Sequence, residues 1–103
     1  MKTHIKICGF TEPVGLEAAI AAGVDSVGLV LDPSPRQLSI AEAVRLRAYI
    51  PDTVQLVAVC GRPDLGTLQE IHRELKPDLI QLMADALPDP GHELPLLPAF
   101  EDG

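Results

Sequence analysis

At 103 residues, with 47% hydrophobic side chains and only 3% aromatic ones, the chain has room for one small core built from Val, Leu, Ile and Ala, the usual filling of α/β proteins with buried parallel strands. A net charge of −7 excludes retention on nucleic acid or an anionic membrane by the overall field, and it mildly repels phosphorylated ligands. Two cysteines, Cys8 and Cys60, are too few for a disulfide framework; no signal peptide or membrane-length apolar stretch is visible, so the expected location is cytoplasmic.

His4 to Gly9 alternates polar and apolar residues and stops at glycine, which predicts a first strand. Thr11 can cap the next segment, with Pro13 tolerated and Glu12 favourable in a first turn. Ala18, Ala19, Ala21 and Ala22 are strong helix formers and Gly23 suits the position after a helix, so a helix is expected over 12–22. Ser26 to Leu31 is a nearly continuous apolar run, as in a strand covered on both faces. Asp32 to Arg36 contains two prolines and reads as a loop. Ser39 and Glu42 form a capping box that starts a helix through about Tyr49, ended by Pro51 and Asp52. Val54 to Cys60 is a third strand. Thr67 with Glu70 offers another capping box, and Leu68, Ile71 and Leu75 have helical spacing. Lys76-Pro77-Asp78 closes that helix, and Leu79 to Met83 is a fourth strand.

Strand, helix, strand, helix, strand, helix, strand implies a parallel sheet with right-handed crossovers. The pattern fails after Met83. Ala84 to Gly91 holds two prolines and a glycine, and Leu94 to Phe100 is a fifth strand only if an edge position accommodates Pro95 and Pro98. The expected division is a half-barrel (βα)3β unit over 1–83 and a proline-rich tail over 84–103.

Four segments carry a family likeness. Lys6-Ile7-Cys8-Gly9-Phe10-Thr11, Gly28 to Arg36 with its Ser34-Pro35-Arg36, Val57-Ala58-Val59-Cys60, and Asp78-Leu79-Ile80-Gln81-Leu82 resemble, in order and spacing, the N-terminal half of phosphoribosylanthranilate isomerase. The resemblance implies an α/β fold, a partial (β/α)8 (TIM) barrel of about four parallel strands and three helices with a possible short fifth strand. It covers most of this chain but less than half of the family's barrel, which takes about 200 residues or more.

The family catalyses an Amadori rearrangement in tryptophan biosynthesis and uses no cofactor. A general acid opens the ring of an aldose-amine, and a general base removes the C2 proton. The resemblance places that base at Cys8, which must be a thiolate to act. It places Arg36 on the anthranilate carboxylate, where a guanidinium fork fits, and turns Gly9, Ser34 and Gln81 toward the same phosphorylated sugar-anthranilate substrate. The departures are Met83, where the family has histidine, and Ala84, where it has glycine. The family's aspartate acid on the sixth strand and its phosphate loops after strands seven and eight have no counterpart here.

Read without the resemblance, Cys8 is a buried structural thiol, Arg36 a solvated charge and Gly9 a turn residue. Asp32 and Asp85 are each either an acid or a loop carboxylate, and Met83 is core filler. Cys8 and Cys60 are expected to remain unpaired. Strands one and three, if separated by strand two, lie roughly 9–10 Å apart, beyond the about 7 Å a disulfide allows. Further His or Cys ligands at helpful spacing are missing, so no metal is expected.

Half a barrel leaves open strand edges and an uncovered inner face. The chain is therefore expected to form a homo-oligomer, a dimer first of all, or to join a complementary second half. Two functions stand side by side: an isomerase whose site is completed by another copy or half, and a non-catalytic half-barrel that binds a small anion or only another chain. A third is that the chain is a fragment sharing its parent's function.

Overall fold

The computed structural model describes residues 5–33, 35–83, 85 and 94–99. Ser34, and most of the tail after Met83, lie outside the described residues. The elements run β1 (Lys6–Cys8), α1 (Pro13–Ala21), β2 (Ser26–Val30), α2 (Ile40–Arg47), β3 (Gln55–Gly61), α3 (Leu65–Leu75), β4 (Leu79–Met83) and β5 (Leu96–Ala99). The five strands form one sheet in the order β1-β2-β3-β4-β5, and every neighbouring pair is parallel. The α/β half-barrel expected from the sequence is the fold observed, with the proline-bearing fifth strand at the sheet edge.

Three helix boundaries differ from the sequence reading, each for a local reason. Helix α1 begins at Pro13 and is preceded by Glu12, whose side chain makes no cap bond. Pro13 fixes the first helical position, so Thr11 stands too far back to cap. Helix α3 starts at Leu65, because the Asp64 carboxylate accepts from the Thr67 N–H at 2.7 Å. That contact also holds the Asp64 carboxyl below its ordinary pKa. Thr67 is therefore the recipient of a cap and not the cap itself. Helix α2 keeps its capping box, with Ser39 and Glu42 bonded reciprocally. It ends at Arg47; Tyr49 and Ile50 donate three residues back, to Leu46 and Arg47, tightening the last turn before Pro51.

The core lies between the helices and the outer face of the sheet. Val27 and Leu29 of β2, Leu56, Ala58 and Cys60 of β3, and Ile80 and Leu82 of β4 pack with Leu16, Ala43, Leu46, Leu68, Ile71 and Leu75. The alternate strand residues Lys6, Cys8, Gln55, Gln81 and Met83 share the opposite, inner face by register. There the Lys6 ammonium donates to the Gln81 side-chain carbonyl, and Ser26 to that of Gln55 at 3.0 Å. On a flat sheet β1 and β4 would stand about 14 Å apart. Lys6 is also in register with Gln55, whereas Gln81 is in register with Val59, further along β3. A contact across that offset requires the sheet to curl and its strands to tilt, as barrel strands do.

The sheet is fastened at its lower end by a repeated device. The Asp25 carboxylate accepts from the Ile5 N–H at 2.8 Å, and the Asp25 N–H donates to the Ile5 carbonyl at 2.9 Å. Asp78 repeats the clamp on Leu56, at 2.7 and 2.9 Å. Each aspartate immediately precedes its strand, β2 or β4. Alanine at Asp78 orphans the N–H of buried Leu56, so Asp78→Ala is expected to cost about 1–3 kcal/mol, read as a lower urea midpoint. An unchanged midpoint would show that water replaces the carboxylate freely.

Candidate functional site

All five strands point their C-terminal ends to one rim, and Cys8 is the last residue of β1 on that rim. Its side chain is exposed, not buried, which corrects the structural-thiol reading. Room for it comes from Gly28, its register partner on β2. A Cβ at Gly28 would lie 2.7 Å from the Cys8 Sγ and 3.1 Å from its Cβ. The thiol thus occupies the space that any side chain at Gly28 would need.

Gly9 follows with φ +91°, a conformation that favours glycine, and its N–H donates to the Gly28 carbonyl at 3.1 Å. Arg36, on the β2–α2 loop, crosses directly over it. A Cβ at Gly9 would meet the Arg36 Cδ at 2.9 Å and a guanidinium nitrogen at 3.0 Å. Cys8, Gly9, Arg36, Val30 and Pro35 together line an open depression of about 390 Å³. Gln81 sits on the same concave face, with its carbonyl oxygen engaged by Lys6. Met83 is half-buried on that inner face, outside the helix-facing core, so it is not the core filler expected.

The two cysteines face opposite environments. Both are free thiols, as expected from strand spacing. Cys60 belongs to the core behind the sheet, where burial and then the nearby Asp32 carboxylate push its pKa up to about 12. It remains a neutral thiol at any physiological pH. Asp32 lies against Gly61, where φ is +68° and a Cβ would overlap the carboxylate. Asp85 forms a two-pronged pair with Arg62, each contact 3.1 Å. Both partners are exposed, so the pair contributes at most about 1 kcal/mol.

Gly28, Gly61 and Lys6 were not singled out by the sequence. A glycine inside an apolar strand is the one signal that points to Gly28, because it marks a close approach. Lys6 gives no such signal; its place beside Gln81 depends on the curl of the sheet.

The arrangement offers a thiol at a strand end, a guanidinium beside it and a polar concave face. Comparison with known proteins shows what the chain is similar to. No family model matches the chain. An N-(5'-phosphoribosyl)anthranilate isomerase of Afipia carboxidovorans is 41% identical over 90 residues, covering 86% of this chain and 38% of that protein. The chain is phosphoribosylanthranilate isomerase-like. The crystal structure of TrpF from Jonesia denitrificans superposes with a TM-score of 0.76 at 30% identity, over 82% of this chain and 42% of that one. A phosphoribosyl anthranilate isomerase in complex with reduced 1-(o-carboxyphenylamino)-1-deoxyribulose 5-phosphate gives 0.75 at 26% identity, over 80% and 43%. The isomerase-like chain spans about two fifths of the length of the curated relatives it matches.

Proposed function

We propose that this chain carries the base-bearing part of a phosphoribosylanthranilate isomerase site. The observation that supports this most is the Cys8 thiol held over Gly28, beside Arg36, at the rim of a parallel half-barrel. In the proposed reaction an acid from a further segment or chain opens the ribose ring of N-(5-phosphoribosyl)anthranilate. The Cys8 thiolate then takes the C2 proton, the electrons of that C–H bond form the enolamine, and proton return gives the ketose-amine. Arg36 holds the anthranilate carboxylate through two parallel N–H donors, with Gly9, Ser34 and Gln81 along the substrate. The substrate phosphate needs its own cationic loop, because the chain's net charge of −7 gives it no general attraction. The remaining part comes from a complementary half or from a second copy in a homo-oligomer. The cytoplasm is the location this reading assigns.

The test is turnover of freshly made phosphoribosylanthranilate, followed by loss of its fluorescence, with Cys8→Ala alongside. Turnover that vanishes in Cys8→Ala supports the reading, and turnover that survives overturns it. Arg36→Lys keeps the charge and removes the fork, so KM should rise about 10- to 100-fold with a smaller change in kcat. An unchanged KM would remove Arg36 from substrate.

A second reading is a non-catalytic half-barrel that binds a small anion or another chain. The exposed Ile5, Ile7 and Val14 favour it, since they mark a surface suited to a partner. No turnover, together with anthranilate or phosphate binding that depends on Arg36, would select it.

A further inference from the structure

On the inner face of the sheet the Lys6 ammonium donates to the Gln81 side-chain oxygen. An ammonium carries donors and no acceptor, so only the oxygen end of a glutamine amide can meet it. That contact decides which way round the amide sits. Its carbonyl is engaged by Lys6, and its NH2 group, with two donors, turns elsewhere. Among the described residues no acceptor is bonded to that nitrogen. Nor is any side-chain nitrogen among them both buried and without a partner, so the Gln81 NH2 is within reach of solvent or of a ligand. Position ties the pair to the site. Lys6 precedes Cys8 by two residues on β1, and the two share the inner face, about 7 Å apart along the strand. Gln81 is in register, through Val59 of β3, with Val30 of β2. Val30 lines the same depression as Cys8, Gly9 and Arg36. The pair therefore forms a floor beside and below the thiol, and the polarity it offers is that of a donor.

We propose that Lys6 is a positioning residue: by holding the Gln81 oxygen it makes Gln81 a hydrogen-bond donor to an oxygen of the substrate's sugar chain. A glutamine amide without such a partner offers either end, because rotation about its last bond exchanges donor for acceptor. With the oxygen occupied, only an acceptor on the ligand satisfies Gln81. The amide is also set before the ligand arrives, so binding loses less rotational freedom than it would with a side chain that has still to be ordered. For the identity of the ligand this inference rests on the isomerase reading. There Arg36 holds the anthranilate carboxylate and Cys8 faces C2, which leaves the sugar carbons as the part next to the floor.

Two probes separate the sugar from the aromatic end: anthranilate, and the reduced 1-(o-carboxyphenylamino)-1-deoxyribulose 5-phosphate held by the related isomerase. Calorimetric titration of the full chain should show tighter binding of the second. Lys6→Met should weaken that binding about 3- to 10-fold, as the loss of one neutral hydrogen bond does. It should leave anthranilate binding unchanged, which a general disturbance of the sheet would not. Lys6→Arg, also a donor-only cation, should stay within about twofold of the wild type. Gln81→Glu keeps an oxygen for Lys6 and removes both donors, so it should weaken the analogue at least as much as Lys6→Met. In a Gln81→Ala background Lys6→Met should cost nothing further, because both changes act through one amide. A further loss there would mean that Lys6 attracts the ligand by its charge alone, and it overturns the proposal. So does full affinity in Lys6→Met or Gln81→Glu, or an analogue that binds no better than anthranilate, or not at all, at millimolar concentration. When such a failure comes with anthranilate binding that depends on Arg36, the isomerase reading stands without this inference. Anthranilate binding indifferent to Arg36→Ala removes that reading instead.

Discussion

With Cys8 as the proposed base, Gly28→Ala is expected to lower turnover of phosphoribosylanthranilate by the completed site about 100-fold while the sheet stays folded. The new Cβ would stand 2.7 Å from the Cys8 Sγ and 3.1 Å from its Cβ, inside van der Waals contact, so one of the two must move. Strand β2 is held between β1 and β3, whereas Cys8 ends an edge strand and is exposed. The thiol therefore yields. A shift of about 1 Å in a reacting group costs on the order of 100-fold in rate. The core behind the sheet is not touched, because Gly28 lies between Val27 and Leu29 and its added methyl points to the inner face. Circular dichroism and the urea midpoint check that expectation. The Gly28→Ala, Cys8→Ala double variant should be no slower than Cys8→Ala alone, since both changes act through the same thiol. Full activity in Gly28→Ala would mean that the position of Cys8 does not govern the reaction. Alkylation of Cys8 by iodoacetamide gives a readout without turnover; its rate should change in Gly28→Ala and stay constant in a distant variant such as Asp78→Ala.

What could be read from the sequence was what depends on neighbours along the chain. Leu79 to Met83 is a strand by composition and between its punctuation marks, and it is β4 with those bounds. Ser39 and Glu42 are a capping box because the contact spans three residues. Pro95 and Pro98 restrict their segment to an edge, where β5 lies. Cap placement failed where two capping residues compete. Asp64 precedes Thr67 and takes the helix start, and Pro13 moves the other start past Thr11. The site was legible only in part. Cys8, Gly9 and Arg36 were named as candidates, and they line one depression. Nothing local shows that Gly28 makes room for Cys8, that Arg36 covers Gly9, or that Asp32 covers Gly61. Those contacts are set by register between strands. The Lys6–Gln81 bond joins residues 75 apart and exists only because the sheet curls and tilts.

The second large effect concerns Cys60 and high pH. Its thiol is buried with 5% exposure, and burial followed by Asp32 raises its pKa from 9.0 to about 12. The folded chain therefore keeps a proton that the unfolded chain begins to release near pH 9. A raised folded pKa contributes stability that is fully present below the unfolded value and is lost as pH climbs through the folded one. Between about pH 9 and 12 the folded state should lose about 1.4 kcal/mol per pH unit from this group, about 4 kcal/mol in full. Lysine and tyrosine side chains also titrate in this range, so the measurement is a difference. Urea denaturation of the wild type and of Cys60→Ala, taken at pH 8 and pH 10, isolates the thiol. At pH 8 the variant should be the less stable of the two, by about 1 kcal/mol, for the atoms removed from the core. By pH 10 that gap should have closed, because the wild type alone bears the cost of holding the proton. A gap that stays constant with pH would show that the Cys60 thiolate is accommodated in the fold, by water or by movement of Asp32 away from Gly61.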